Sequence, residues 1–143
     1  MIALTLAALA LSASPEAAQD RAAPSESAAG AAPAAETGAI QAAREWLALV
    51  DAGDWQGSWA ATAQSFRTMN TAQAWQSASE GARVPLGRVL SRSAGGEESI
   101  PAPPNGYRLV RFRTDFANRA GATETLSLAR EGSGWKVAGY FIE

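Results

Sequence analysis

Among the 143 residues, Glu124 has the type and position best suited to acid–base chemistry. It shares the alternating parity of Leu126 and Leu128, which puts it at the edge of the apolar face of a strand. A carboxylate there needs a partner. Arg83 and Arg92 flank an expected short strand, and either could supply a bidentate guanidinium. Two chemistries are then open. One is a structural ion pair, the default because buried charges are normally paired. The other is a general base whose carboxyl is pushed up by burial, working beside a donor such as Tyr107 or Tyr140.

The aromatic residues form the second group. All eleven lie between Trp46 and Phe141, and five of them are Trp. Trp46, Trp55, Trp59, Phe66, Trp75 and Trp135 sit among apolar residues at spacings that suit a hydrophobic core. A sharper reading makes Trp55, Trp59 and Trp75, with Tyr107 and Tyr140, the lining of a pocket for a flat apolar ligand. Each indole face would supply area and each N–H one directional contact. Trp135 is expected to be structural, on one parity with Val137, Gly139 and Phe141, with Gly139 leaving room for Trp59 to approach the sheet.

Other candidates carry less. Asp51 and Asp54 are too few for a calcium loop, and Gly53-Asp54 reads as a helix end followed by a cap. Arg108, Arg111 and Arg113 make a basic strand whose default is a solvated face. Ser93-Ala94-Gly95-Gly96 lacks the Lys-Ser/Thr end of a phosphate loop. With no His and no Cys, the composition excludes imidazole and thiolate chemistry, so no cofactor or metal is expected. From residue 37 onward, eleven basic residues face ten acidic ones, a balance that argues against a nucleic-acid partner.

The elements that would position these residues follow from periodicity. Ile40, Ala43, Leu47 and Val50 make one helix face, with Trp46 beside them. Trp55, Trp59, Ala63 and Phe66 make a second stripe, and Trp75, Ala78 and Ala82 a third. After Pro85 the period changes to two. Leu86 to Arg92 reads as a short strand, Ser93 to Gly106 as a long loop, and Tyr107 to Phe116 as the clearest strand. Ala122 to Arg130 and Trp135 to Ile142 complete an antiparallel meander. The fold class is therefore α+β, with N-terminal helices packed on one face of a four-stranded antiparallel sheet.

The chain divides into three parts. Residues 1–14 hold the apolar run Ile2 to Leu11 and small residues after it, the pattern of a secretory signal peptide. Residues 15–37 are mostly Ala, Pro, Ser, Glu and Gly with no large apolar side chain, so a disordered linker is expected. Residues 38–143 form a single domain. The apolar run is half the length of a membrane span, so no transmembrane segment is expected after signal removal.

Several strings together are similar to a bacterial family, domain of unknown function 4019. They are Trp46-Leu47 with Asp51, Ser58-Trp59, Trp75, Arg83-Val84-Pro85-Leu86-Gly87, Arg92, Gly106-Tyr107, Glu124-Thr125, and Gly134-Trp135-Lys136-Val137-Ala138-Gly139-Tyr140. The resemblance spans roughly residues 40 to 142 and implies an exported or envelope protein with no established activity. The closing strand is also like those of cystatin-like and nuclear-transport-factor-like cones, an analogy of fold that carries no function.

The expectation is thus a periplasmic or secreted protein, more a non-catalytic module than an enzyme. Its partner would be a small apolar ligand or an envelope protein. The competing expectations are a ketosteroid-isomerase-like enzyme using Glu124, and a structural or inhibitory protein using an exposed sheet edge.

Overall fold

A computed structural model of the chain describes residues 36–143. The signal-like run and the linker up to residue 35 lie outside the described residues. Helix α1, Gly38–Asp51, starts where the Thr37 side chain accepts a hydrogen bond from the Ile40 N–H at 3.3 Å. It buries Ala39, Ala43, Trp46, Leu47 and Val50, the face expected from spacing with Ala39 in place of Ile40. Gly53, at φ 71°, takes the left-handed conformation that turns the chain out of the helix. Asp54 then caps α2, Trp55–Ala60, by accepting from the Gly57 N–H at 2.8 Å.

The stripe expected from Trp55 to Phe66 is two helices, not one. The chain leaves helical geometry after Ala60 because Thr62 and Ala63 dock on the sheet, where the Ala63 N–H donates to Val137 O at 2.7 Å. Helix α3, Gln64–Met69, follows, and α4, Ala72–Arg83, is capped by Thr71. The buried face of α4 is Trp75, Ser79 and Arg83, a strict four-residue step, while the expected Ala78 and Ala82 are exposed. Both faces are geometrically possible from Trp75. The one with polar residues is chosen because Arg83 finds its partners inside.

The sheet is four-stranded and antiparallel in the order β1-β2-β3-β4, with β1 Val89–Ile100, β2 Tyr107–Phe116, β3 Arg119–Glu131 and β4 Gly134–Ile142. The helices pack against one face, above Val110, Phe112, Leu126, Leu128 and Val137. The fold class read from the sequence is the one observed. Its first strand is not. Val84–Leu86 is a short 3-10 turn, and β1 starts at Val89 and runs through most of the expected loop to Ile100. Gly95 and Gly96 sit in a register irregularity between Ala94 and Gly96, and Glu97 and Glu98 pair across the strands with Arg108 and Arg111. The Gly-Gly pair, a loop signal by propensity, here takes up a bulge.

A second irregularity corrects the reading of β4. Ser127 pairs with Gly139 and Leu128 with Val137, so Ala138 is the extra residue. The bulge flips the parity beyond it. Tyr140 therefore faces the helices opposite Leu126, and Phe141 is 68% exposed on the other side. Gly139 does not make room for Trp59. A Cβ there would lie 2.6 Å from Ser127 Oγ on the neighbouring strand.

Candidate functional site

Two features meet at the inner end of α4: a buried polar cluster and an apolar groove.

The cluster is built on strand neighbours. Arg92 of β1 stands opposite Thr114 of β2, and Glu124 of β3 lies diagonally across from Thr114, between Phe112 and Ile142. Glu124 is fully buried. Its Oε2 accepts from Arg92 Nε at 2.6 Å and Thr114 Oγ1 at 2.8 Å. Its Oε1 accepts from Arg92 Nη2 at 3.0 Å and Tyr140 OH at 2.7 Å. The other side of Arg92 reaches Asp51 at the end of α1, with Nη1 to Oδ2 at 2.6 Å and Nη2 to Oδ1 at 3.1 Å. Arg83 also donates to Asp51, from Nη2 at 3.0 Å, and from Nη1 to the Gly87 carbonyl at 2.6 Å. Its guanidinium lies over the Phe116 ring, 4.4 Å from the centroid. Of the two arginines considered for Glu124, Arg92 is the bidentate partner, and Arg83 acts one step away through Asp51.

Electrostatics locks this arrangement. Burial works to lower the Arg92 pKa, but the hydrogen bonds and charges of Asp51 and Glu124 outweigh it and hold the guanidinium charged above its ordinary value. Burial first, then the Glu124 charge and hydrogen bond, push the Tyr140 phenol well above the ordinary tyrosine range. Tyr140 therefore stays protonated and donates. Each Glu124 oxygen already accepts two donors, which leaves the carboxylate no reach toward a substrate proton. That geometry removes the basis for Glu124 as a general base.

The groove is apolar. It runs along the edge strand β4, lined by Phe66 and Met69 of α3 and Trp75 of α4, by the β4 backbone at Ala138 and Gly139, and by Leu109 and Phe141 on the sheet face turned away from the helices. Its volume is about 710 Å³. Met69 is 83% exposed and Phe141 68%, two large apolar side chains open to water along its length. Trp75 is held rigidly. Its indole N–H donates to Ser58 Oγ at 2.9 Å, and its ring packs against Trp46 at 5.6 Å and edge-on to Phe66 at 5.5 Å.

The expected pocket residues divide. Trp75, Tyr107 and Tyr140 line the groove. Trp59 does not; its N–H donates to Asn70 O at 2.7 Å and ties α2 to the end of α3. Trp55 lies at another surface depression, beside Val50 and Arg88. The sequence reading missed Asp51 as the shared partner of both arginines, and missed Phe66, Met69 and Phe141 as groove residues. The i, i+4 step from Ser79 to Arg83, in register with Trp75, was the available signal for the buried face of α4. Asp54 is the helix cap expected of it, and Asp51 is an ion-pair partner. Among the described residues no group of three or more His, Cys, Asp or Glu is arranged to hold a metal, and no helix is long and apolar enough to cross a membrane.

The polar cluster and the groove draw on the strings that carried the resemblance: Asp51, Trp75, Arg83, Arg92, Glu124 and Tyr140. A family model described as "Protein of unknown function (DUF4019)" matches residues 42–140. The chain belongs to this family. The DUF4019 match runs from within α1 to Tyr140, so it takes in the cluster and the groove as far as Tyr140, one residue short of Phe141. Searches of curated proteins and of solved structures find no match.

Proposed function

We propose that this DUF4019 domain is a non-catalytic binding module of the cell envelope, periplasmic or secreted, that holds a small apolar ligand in the groove between α3–α4 and β4. The apolar run from Ile2 to Leu11 supports export. The observation that carries the binding reading is the groove itself: concave, apolar and walled by rigid aromatics, with a few polar groups nearby. Arg92, Asp51, Glu124 and Tyr140 beside it are bonded to one another, which suits a scaffold more than a catalyst.

An interaction role through a sheet edge has less support. Strand β1 is a long edge, but irregularities beside Leu90 and Gly95 break its register, and Glu97 and Glu98 place charge on it. Those are the devices by which edges are kept from pairing.

The test is uptake of the neutral fluorescent probe N-phenyl-1-naphthylamine by the full chain. Burial of part of such a probe implies a Kd between about 1 μM and 1 mM. Saturable binding that Met69→Glu weakens supports the reading. No saturable binding removes it.

A further inference from the structure

Strand β4 is the second edge of the sheet, and the groove runs beside it. The ladder with β3 shows which of its backbone groups face outward. Thr123 and Glu143 exchange two N–H to O bonds, at 2.8 and 2.9 Å, so they are a bonded pair. Bonded and non-bonded pairs alternate along an antiparallel ladder. Phe141, opposite Thr125, therefore turns its backbone groups toward β3. Tyr140 and Ile142, opposite Leu126 and Glu124, turn their N–H and C=O out of the sheet. Among the described residues no backbone group pairs with them there.

The same edge already accepts an extended segment a few residues earlier. Thr62 pairs in parallel with Val137, and the Ala63 N–H donates to Val137 O at 2.7 Å. That pairing ends as the chain enters α3 at Gln64. Beyond it the edge lies open, with Ala138, Gly139, Tyr140 and Phe141 lining the groove. Two donors and two acceptors thus border an apolar space. A purely hydrocarbon ligand would strip water from them and leave them unpaired, which is costly. The matching ligand carries donors and acceptors at the spacing of a strand, with side chains between them.

The surroundings fix its chemistry. Among the described residues no Asp, Glu, Lys or Arg lines the groove, so the side chains it takes are apolar. A side chain opposite Phe141 lies on the sheet face turned away from the helices, beside Leu109. Those opposite Tyr140 and Ile142 face α4, where Ala78 and Ala82 are exposed and a space of about 160 Å³ is open. Size excludes a second copy of the domain. The run Tyr140 to Ile142 is about 10 Å of strand, recessed between helices and sheet, whereas a stable pair of folded proteins buries about 800 Å² on each.

We propose that the ligand of the groove is a short extended peptide with apolar side chains, which adds to β4 as a further strand by pairing with Tyr140 and Ile142. The inference rests on the groove being a binding site and names its ligand class. Backbone pairing supplies the direction and register, and the groove supplies the apolar contact.

The experiment uses the full chain and three probes: acetyl-Val-Leu-Val-amide, the same peptide methylated on its three residue nitrogens, and N-phenyl-1-naphthylamine. The peptide should bind with Kd below about 1 mM and displace the naphthylamine. It should also slow amide hydrogen exchange at Tyr140 and Ile142, read by NMR, which the naphthylamine alone should not do. The methylated peptide has the same side chains without the donors and should bind roughly tenfold weaker, the worth of two net hydrogen bonds. Equal binding of the two peptides, or no slowing of exchange at Tyr140 and Ile142, overturns strand addition. Naphthylamine uptake without peptide binding overturns it too and leaves the groove standing. Failure of all three probes to bind overturns both.

Discussion

Arg92 and Glu124 reach each other across the inner face of the sheet, from β1 and β3, with Nε and Nη2 on the two carboxylate oxygens at 2.6 and 3.0 Å. Asp51 closes the far side of the same guanidinium and so fastens the end of α1 to the sheet. Breaking a buried pair by removing one partner costs far more than the pair contributes, because a desolvated charge is left behind. Glu124→Gln should therefore destabilise the domain by about 3–5 kcal/mol. Chemical denaturation checks it. A change under about 1 kcal/mol would mean that the cluster is far less desolvated than the geometry states.

Tyr140 gives a pH prediction. Its phenol is raised above the ordinary value, so the folded state holds that proton more tightly than the unfolded state. The stability from this group is complete below the ordinary tyrosine pKa of about 10 and is lost as pH rises beyond it. In a Tyr107→Phe variant Tyr140 is the remaining tyrosine, since the chain has two. Tyrosinate absorbance should then appear together with unfolding, monitored by circular dichroism, and not before it.

Asp115 acts in the opposite direction. Its Oδ1 accepts from the Gly121 N–H at 2.6 Å and its Oδ2 from Ser91 Oγ at 3.1 Å, and these bonds hold its carboxyl below the usual range. The stabilisation is present above the unfolded aspartate pKa and fades as pH falls through the lowered one. A titration of the Asp115 carboxyl by NMR should show the low value, and Ser91→Ala should raise it.

Much of the fold was legible because its signals are local. Asp54 stands as a cap where α2 begins, and Val110 to Phe116 alternates cleanly. The errors share one physical origin, contacts distant in sequence. Nothing within Trp55 to Phe66 announces that Thr62 will pair with Val137. Nothing in Gly134 to Ile142 says that Ala138 will be skipped, yet that one residue reverses where Phe141 and Tyr140 point. The site was partly legible. Glu124 was visible as a carboxylate at an apolar parity, and Arg92 as a candidate partner. Asp51 was not, because its role depends on how the end of α1 meets β1.

Trp135 illustrates the same limit in energy. It is only half buried, packed near α1, with Arg130 over its ring at 5.1 Å. Full burial would put the cost of truncation at about 3–5 kcal/mol. Partial burial lowers it, and Trp135→Ala should cost about 1–3 kcal/mol by chemical denaturation.

The groove should be separable from stability. Met69 is 83% exposed, so Met69→Glu should change unfolding free energy by no more than about 0.5 kcal/mol. The same change places a charge on the wall facing the ligand and should weaken probe binding roughly tenfold or more.

The most direct measurement is a fluorescence titration of the full chain with N-phenyl-1-naphthylamine, run in parallel on the Met69→Glu and Phe66→Ala variants. The predicted result is saturable uptake by the wild-type chain, with Kd below about 1 mM, and its loss in both variants while their far-ultraviolet circular dichroism is unchanged. Uptake that is absent, or that persists undiminished in both variants, would contradict a ligand site between α3–α4 and β4.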